Sequence, residues 1–239
     1  MLQLQCSNFG YTLWRLKMVD LGNIFILGDS YSTFEGHIPE GFDAYYLASG
    51  PAYKCQKGEL DEGDVFQVNE TWWYDLCNEN GNLLRNCSWS GTTICNTGYN
   101  QSDNSKCSFI ARFDNLAEEG YLEKNKVDTL FLFGGTNDSW AGSPIGELKY
   151  DDYTKEDLYS ALPAFGYLME SFKKYLKGTK IYCIINTELK EEITDAYKEA
   201  CKKYGVDVIE LQNIDKQHGH PTILGMKQIK EQVLGYINK

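Results

Sequence analysis

Along the chain, short continuous apolar runs alternate with longer stretches in which apolar residues recur every three or four positions. Residues 23–28 (Asn-Ile-Phe-Ile-Leu-Gly) form one such run, ending in Gly28-Asp29-Ser30. Leu83 and Leu84 begin a second, heading toward Ser88-Trp89-Ser90-Gly91. Residues 129–133 (Thr-Leu-Phe-Leu-Phe) are the clearest, and Gly134-Gly135-Thr136-Asn137-Asp138 follows at once. Residues 180–185 and 206–211 complete the set. Runs of this length, bounded by glycine and short polar residues, predict strands buried on both faces and opening into loops.

Between them, Leu158, Leu162, Phe165, Leu168, Phe172 and Leu176 share one helical face, and Pro163 predicts a break or kink early in that helix. Leu189, Ile193, Ala196, Tyr197, Ala200 and Tyr204 repeat the period and stop at Gly205, which suits a C-terminal cap. Ile223, Met226, Ile229, Val233 and Tyr236 mark a last helix, with Thr222 as its candidate N-cap. Strands alternating with helices predict one α/β domain whose parallel sheet is covered on both faces. Residues 35–70 show no clean period, and residues 96–106 read as a turn-rich loop. Met18 stands just before the first run, so residues 1–17 read as an N-terminal extension and residues 18–239 as a single domain.

Composition narrows the function classes. Hydrophobic residues at 42% and charged residues at 24% exclude wholesale disorder. Lys+Arg of 23 against Asp+Glu of 34 leaves a net charge of −11, which repels phosphate backbones and anionic lipid. Neither nucleic acid nor a membrane surface is therefore an expected partner. No apolar run approaches the ~18 residues that span a bilayer. The first ten residues lack the basic start and apolar stretch of a signal peptide, so a cytoplasmic location is expected. Eight cysteines include no C-x-x-C pair, and neither a zinc site nor any other cofactor is expected. Reduced thiols follow from that location, with Cys183 and Cys201 as small core residues; pairing among the five from Cys55 to Cys107 would require export.

In an open parallel sheet, ligands bind at the carboxyl ends of the strands. Those exits carry Asp29-Ser30, Ser90-Gly91, Asn137-Asp138 and the segment from Asp215 to His220. Together they supply a hydroxyl, backbone N–H groups beside small residues, an amide, carboxylates and an imidazole. These are the parts of a serine hydrolase. Of the three histidines, His37 has nothing beyond proximity to Ser30. His220 precedes Pro221 and the capped last helix, which would fix its backbone.

Gly28-Asp29-Ser30-Tyr31-Ser32, Ser90-Gly91-Thr92, Gly135-Thr136-Asn137-Asp138 and His220-Pro221-Thr222 stand in the order of the four blocks of the SGNH, or GDSL-type, hydrolases. The chain resembles that family over residues 23–236. The resemblance implies a three-layer α/β/α, flavodoxin-like fold with a mostly parallel five-stranded sheet, and metal-free ester hydrolysis. It implies Ser30 as nucleophile and His220 as general base. It also implies an oxyanion hole made by the backbone N–H groups of Ser30 and Gly91 with the Asn137 amide. The family usually places Asp three residues before the catalytic histidine, and Gln217 stands there. Asp215 lies five residues before His220 and three before His218. Either His218 is the base at the usual spacing, or a longer loop brings Asp215 to His220, the reading favoured by Pro221 and the following helix. Were Asp215 only a turn carboxylate, a backbone carbonyl would orient His220 instead. Asp29 and Asp138 read as carboxylates that hold their own loops in shape.

Tyr31 and Trp140 neighbour the catalytic blocks and are the candidate substrate-binding aromatics, suited to sugar rings. Trp73 and Leu76 read instead as packing a helix on the sheet. The expected activity is hydrolysis of short-chain esters, acetyl above all, on small molecules or carbohydrates. Two alternatives stand beside it: a lysophospholipase or acyl-thioesterase on the same site, and a non-catalytic carbohydrate-binding protein of the same fold. The sequence implies no particular oligomeric state.

Overall fold

Five strands form one parallel sheet: β1 (Asn23–Gly28), β2 (Asn82–Asn86), β3 (Thr129–Phe133), β4 (Lys180–Ile185) and β5 (Asp207–Glu210). Their order is β2-β1-β3-β4-β5, every neighbouring pair parallel. This is the flavodoxin-like order, with the winding reversing between β1 and β3, where a crevice opens at the strand ends. The computed structural model describes residues 19–58 and 60–239, so the expected extension of residues 1–17 lies outside the described residues.

Helices cover both faces. In chain order they are α1 (Ala52–Lys57), α2 (Tyr74–Asn80), α3 (Phe109–Glu118), α4 (Tyr121–Lys124), α5 (Thr136–Trp140), α6 (Ala161–Tyr175), α7 (Glu191–Tyr204) and α8 (Ile223–Ile237). Because successive strand residues point to opposite faces, the sheet feeds two cores. Phe25, Leu27, Leu130, Leu132, Cys183 and Ile185 pack with residues of α3, α6 and α7. Ile24, Ile26, Phe131, Phe133, Tyr182 and Ile184 pack with residues of α2 and α8. Two covered faces explain why the strands read as unbroken apolar runs rather than as an alternation.

Local chemistry sets the element ends. Pro163 causes no break, since α6 begins at Ala161 and the ring sits in the first turn, where the N–H it lacks would have no intrahelical partner. Leu158 of the predicted period falls before α6, in a separate turn over Asp157–Tyr159. Gly205 closes α7 in the left-handed region, its N–H on the Cys201 carbonyl. Thr222 caps α8 by accepting the Gly225 N–H at 3.1 Å. Trp72 and Trp73 are fully buried with Leu76, as expected of a helix packed on the sheet. The described cysteines are all free.

A hairpin follows β5: β6 (Lys216–Gln217) and β7 (His220–Pro221) pair antiparallel, with Gln217 opposite His220. His218 and Gly219 turn the chain with φ of 50° and 78°, the two positive values that a tight two-residue hairpin requires. The hairpin packs on α8 at Gly225, where an added Cβ would stand 2.0 Å from the Asp215 carbonyl oxygen. Gly225→Ala tests that approach. Alanine favours a helix interior by about 1 kcal/mol, yet the forced displacement should lower stability by about 1–3 kcal/mol, read as a reduced denaturant midpoint with unchanged slope.

Candidate active site

The nucleophile turn begins where β1 leaves the sheet. Asp29 accepts the Tyr31 N–H at 3.1 Å and so caps the single turn Ser30–Ser32. Thr33 donates its hydroxyl to the Ser30 carbonyl at 2.9 Å. Ser30 itself is only 4% exposed. Beneath the turn lies the buried guanidinium of Arg112, from α3. It donates to the carbonyls of Gly28 (3.2 Å), Cys87 and Cys107 (2.9 Å) and to the Thr92 hydroxyl (3.0 Å). Burial pushes the Asp29 carboxyl up to about 7, against the pull of its Tyr31 hydrogen bond and the nearby Arg112 charge.

Two further loops meet this turn. Gly91 has φ of 74°, and a Cβ there would meet nothing within 4 Å, so the residue borders open space on that side. Asn137, at the start of α5, donates one amide hydrogen to the Thr92 carbonyl at 2.9 Å, and its Oδ1 accepts the Tyr99 hydroxyl at 2.9 Å. Those two bonds set which way the amide faces and leave its second hydrogen free of both. Asp138 accepts the N–H groups of Ile94 (2.8 Å) and Cys95 (3.1 Å), tying the loop after β3 to the loop after β2. Asp29 and Asp138 thus each hold backbone.

The hairpin brings the imidazole. His220 Nε2 lies 2.9 Å from Ser30 Oγ, across 190 residues of sequence, and Nδ1 lies 3.3 Å from the His218 carbonyl oxygen. With Nδ1–H donating to that carbonyl, Nε2 is left as the acceptor facing the serine. Burial, reinforced by the Lys216 ammonium, depresses the His220 pKa to about 4 against a supporting pull from His218, so the ring is neutral near pH 7. The hairpin is anchored by residues from the N-terminal part of the chain: Tyr31 donates its hydroxyl to the Gly219 carbonyl at 2.5 Å, and Tyr46 to that of Pro221 at 2.8 Å.

Several expectations change. The structure brings His220 to Ser30, while His218 occupies the turn with its ring against Tyr53. Asp215 does not orient His220: its carboxylate accepts the Thr222 hydroxyl, because the residue enters the hairpin beside the cap of α8. Gln217 also faces elsewhere, bonded to Lys54 and Asp61. Tyr31, expected in a substrate pocket, is fully buried among Phe133 and its Gly219 contact. Its ring is spent on joining the nucleophile turn to the hairpin. Trp140 remains 38% exposed, over Gly219 and edge-on to His220 at 6.2 Å. His37 packs its ring among Phe34, Trp73 and Tyr74.

Sequence reasoning missed three contributors. Tyr45 stacks flat on His220, ring centres 3.6 Å apart and planes at 8°. It arises from the stretch 35–70, which shows no clean period. Tyr99 came from a segment read as a loop without a role. Arg112 stands on the apolar face of α3, among Phe109, Phe113 and Leu116, where a charge masks a helix rather than signalling a site.

The family model of GDSL-like lipases/acylhydrolases matches residues 22–237. A protein from Bacteroides uniformis assigned as a GDSL-like lipase is 46% identical, with a TM-score of 0.79 over 90% of this chain and 95% of that one. One from Bacteroides ovatus with the same assignment is 44% identical, with a TM-score of 0.80 over 91% and 98%. A family two carbohydrate esterase from Cellvibrio japonicus is 12% identical, with a TM-score of 0.57 over 92% of this chain and 61% of that one, a likeness of fold alone. No curated protein sequence matches the chain. On the family match and the two close relatives, the chain belongs to the GDSL-like lipase/acylhydrolase family and is a hydrolase of the SGNH type.

Proposed function

We propose that the protein is a serine esterase that removes short acyl groups, acetyl above all, from small-molecule or carbohydrate esters. The 2.9 Å contact between Ser30 Oγ and His220 Nε2 carries the reading. As Oγ attacks the ester carbonyl, its proton passes to Nε2. The resulting imidazolium keeps its Nδ1–H on the His218 carbonyl. The tetrahedral oxyanion is received by the N–H groups of Ser30 and Gly91 and by the free hydrogen of the Asn137 amide. His220 then returns the proton to the departing alcohol, and water repeats the cycle on the acyl-enzyme. The acid of the expected triad is replaced by main chain, giving a Ser30–His220 pair.

Two features support the substrate choice. Among the described residues, the loops around Ser30 mix polar and aromatic side chains and carry no long run of aliphatic residues to line a fatty-acyl channel. Trp140 offers an exposed ring beside the base, a surface suited to the apolar face of a sugar.

Hydrolysis of aryl acetate, butyrate and octanoate tests the reading. Ser30→Ala and His220→Ala should each lower kcat by about 10⁴-fold or more. Turnover that does not depend on Ser30, or none on aryl or acetylated-sugar esters, would overturn the esterase; a preference for octanoate would shift it to longer acyl chains. Asp215→Asn and His218→Asn should each leave kcat/KM within about tenfold of wild type, since neither side chain reaches the imidazole, whereas a carboxylate that oriented it would cost about 10⁴-fold. In a rate profile, the base must be neutral, so activity is lost as pH falls through its pKa. With that pKa depressed to about 4, kcat/KM should hold down to about pH 5, well below the limb near 6.5 of an ordinary histidine.

A further inference from the structure

A general base in a serine hydrolase becomes a cation in the transition state, and something must compensate that charge. Among the described residues, none of the carboxylates that approach this region contacts the His220 ring. Asp215 is turned to Thr222, and Asp29 holds the Tyr31 N–H. Asp61 and Asp64 pair with Lys54 on the neighbouring loop. The charged group of the hairpin itself is Lys216, which opposes protonation of His220 and is held by Thr187 and Glu188. What the ring does meet is aromatic: Tyr45 face to face at 3.6 Å, Tyr31 tilted at 5.4 Å and Trp140 edge-on at 6.2 Å.

We propose that Tyr45 is the positioning residue of the base: its π face holds the His220 imidazole in plane and stabilises the imidazolium as it forms, a task usually given to a carboxylate. The inference rests on the Ser30 esterase reading for its kinetic meaning, though not for its physical content. Three observations join in it. Parallel stacking at 8° presents the whole negative face of the phenol to the ring that will carry the charge. Tyr45 is keyed to the nucleophile, because its N–H donates to Thr33 Oγ1 at 2.9 Å and that hydroxyl donates to the Ser30 carbonyl. Its ring meets that of Tyr46 edge-on, ring centres 4.9 Å apart, and Tyr46 bonds the hairpin carbonyl of Pro221. The stack therefore registers the serine turn and the histidine hairpin against each other.

The role belongs to the ring face, so replacing Tyr45 by phenylalanine should change little. Pentafluorophenylalanine at position 45 keeps the shape and reverses the sign of the face. It should lower kcat by about three- to thirtyfold, the range of a desolvated cation–π contact, with KM within about twofold. The His220 protonation constant, followed by NMR titration of its imidazole without substrate, should fall in the same sense. Equal kcat and equal titration midpoints for the two ring replacements would overturn the proposal, as would a Phe variant as impaired as the fluorinated one, which would move the role to the hydroxyl. If wild-type turnover proved independent of Ser30, the esterase reading would fail, while the titration would still decide whether the ring face stabilises the cation.

Discussion

One guanidinium holds the nucleophile's strand and the neighbouring loop in fixed relation. Arg112 reaches from α3 under the end of β1 and satisfies the carbonyls of Gly28, Cys87 and Cys107 together with the Thr92 hydroxyl. These groups lie where the chain leaves regular structure, and the guanidinium supplies acceptors there with donors, sharing the Gly28 carbonyl with the Trp89 N–H. A planar fork of five donors suits the task, and a lysine could not span the same set. The cation is itself buried. Its charge is accommodated by carbonyl dipoles, by the Phe109 face at 4.4 Å and by the neighbouring Asp29. Removing it would release the serine turn and the Gly91 loop together, which is why a residue outside the reacting cluster governs its geometry.

The second constraint is the hairpin. In many triads a carboxylate both aims the imidazole and answers its charge. In the mechanism proposed here the two tasks are divided. Aim comes from a two-residue turn that sets the His218 carbonyl under Nδ1, and the turn is held by Tyr31, Tyr46 and the close approach at Gly225. The enclosing faces are apolar, so desolvation keeps the imidazole neutral and leaves Nε2 free to accept. In the proposed mechanism the cost is a weaker base, which would make stabilisation of the transient cation more consequential than in a site with a buried aspartate.

Tyr99 and Asp138 show how the third block is tuned. An amide can face either way around its terminal bond. At Asn137 the choice is made by a phenol donating to Oδ1 and a carbonyl accepting from Nδ2. Asp138 meanwhile fastens the adjoining loop through two N–H groups. In the proposed role, a preorganised donor of this kind would need no rearrangement when an oxyanion forms.

The sequence by itself determined the sheet, its parallel winding, the helices with clean periods and the four polar blocks at the strand exits. Those features follow from local rules: strand period, capping residues, and glycine and short polar residues at loop starts. Ser30, Asn137 and His220 were legible because each stands beside such a marker. The partner of the His220 Nδ1 was not. It depends on where a turn of positive φ sends Asp215 and Gln217, and spacing along the chain does not report direction in space. Tyr31 follows Ser30 and reads as a substrate-pocket residue, yet it is buried, because burial depends on what the distant hairpin lays across it. Tyr45, Tyr99 and Arg112 come from segments without a functional pattern, and only the folding of loops over the sheet brings them to the site. Tertiary structure decided those residues because their roles consist of contacts between segments far apart in sequence, whereas the fold class rests on periodicities contained within each segment.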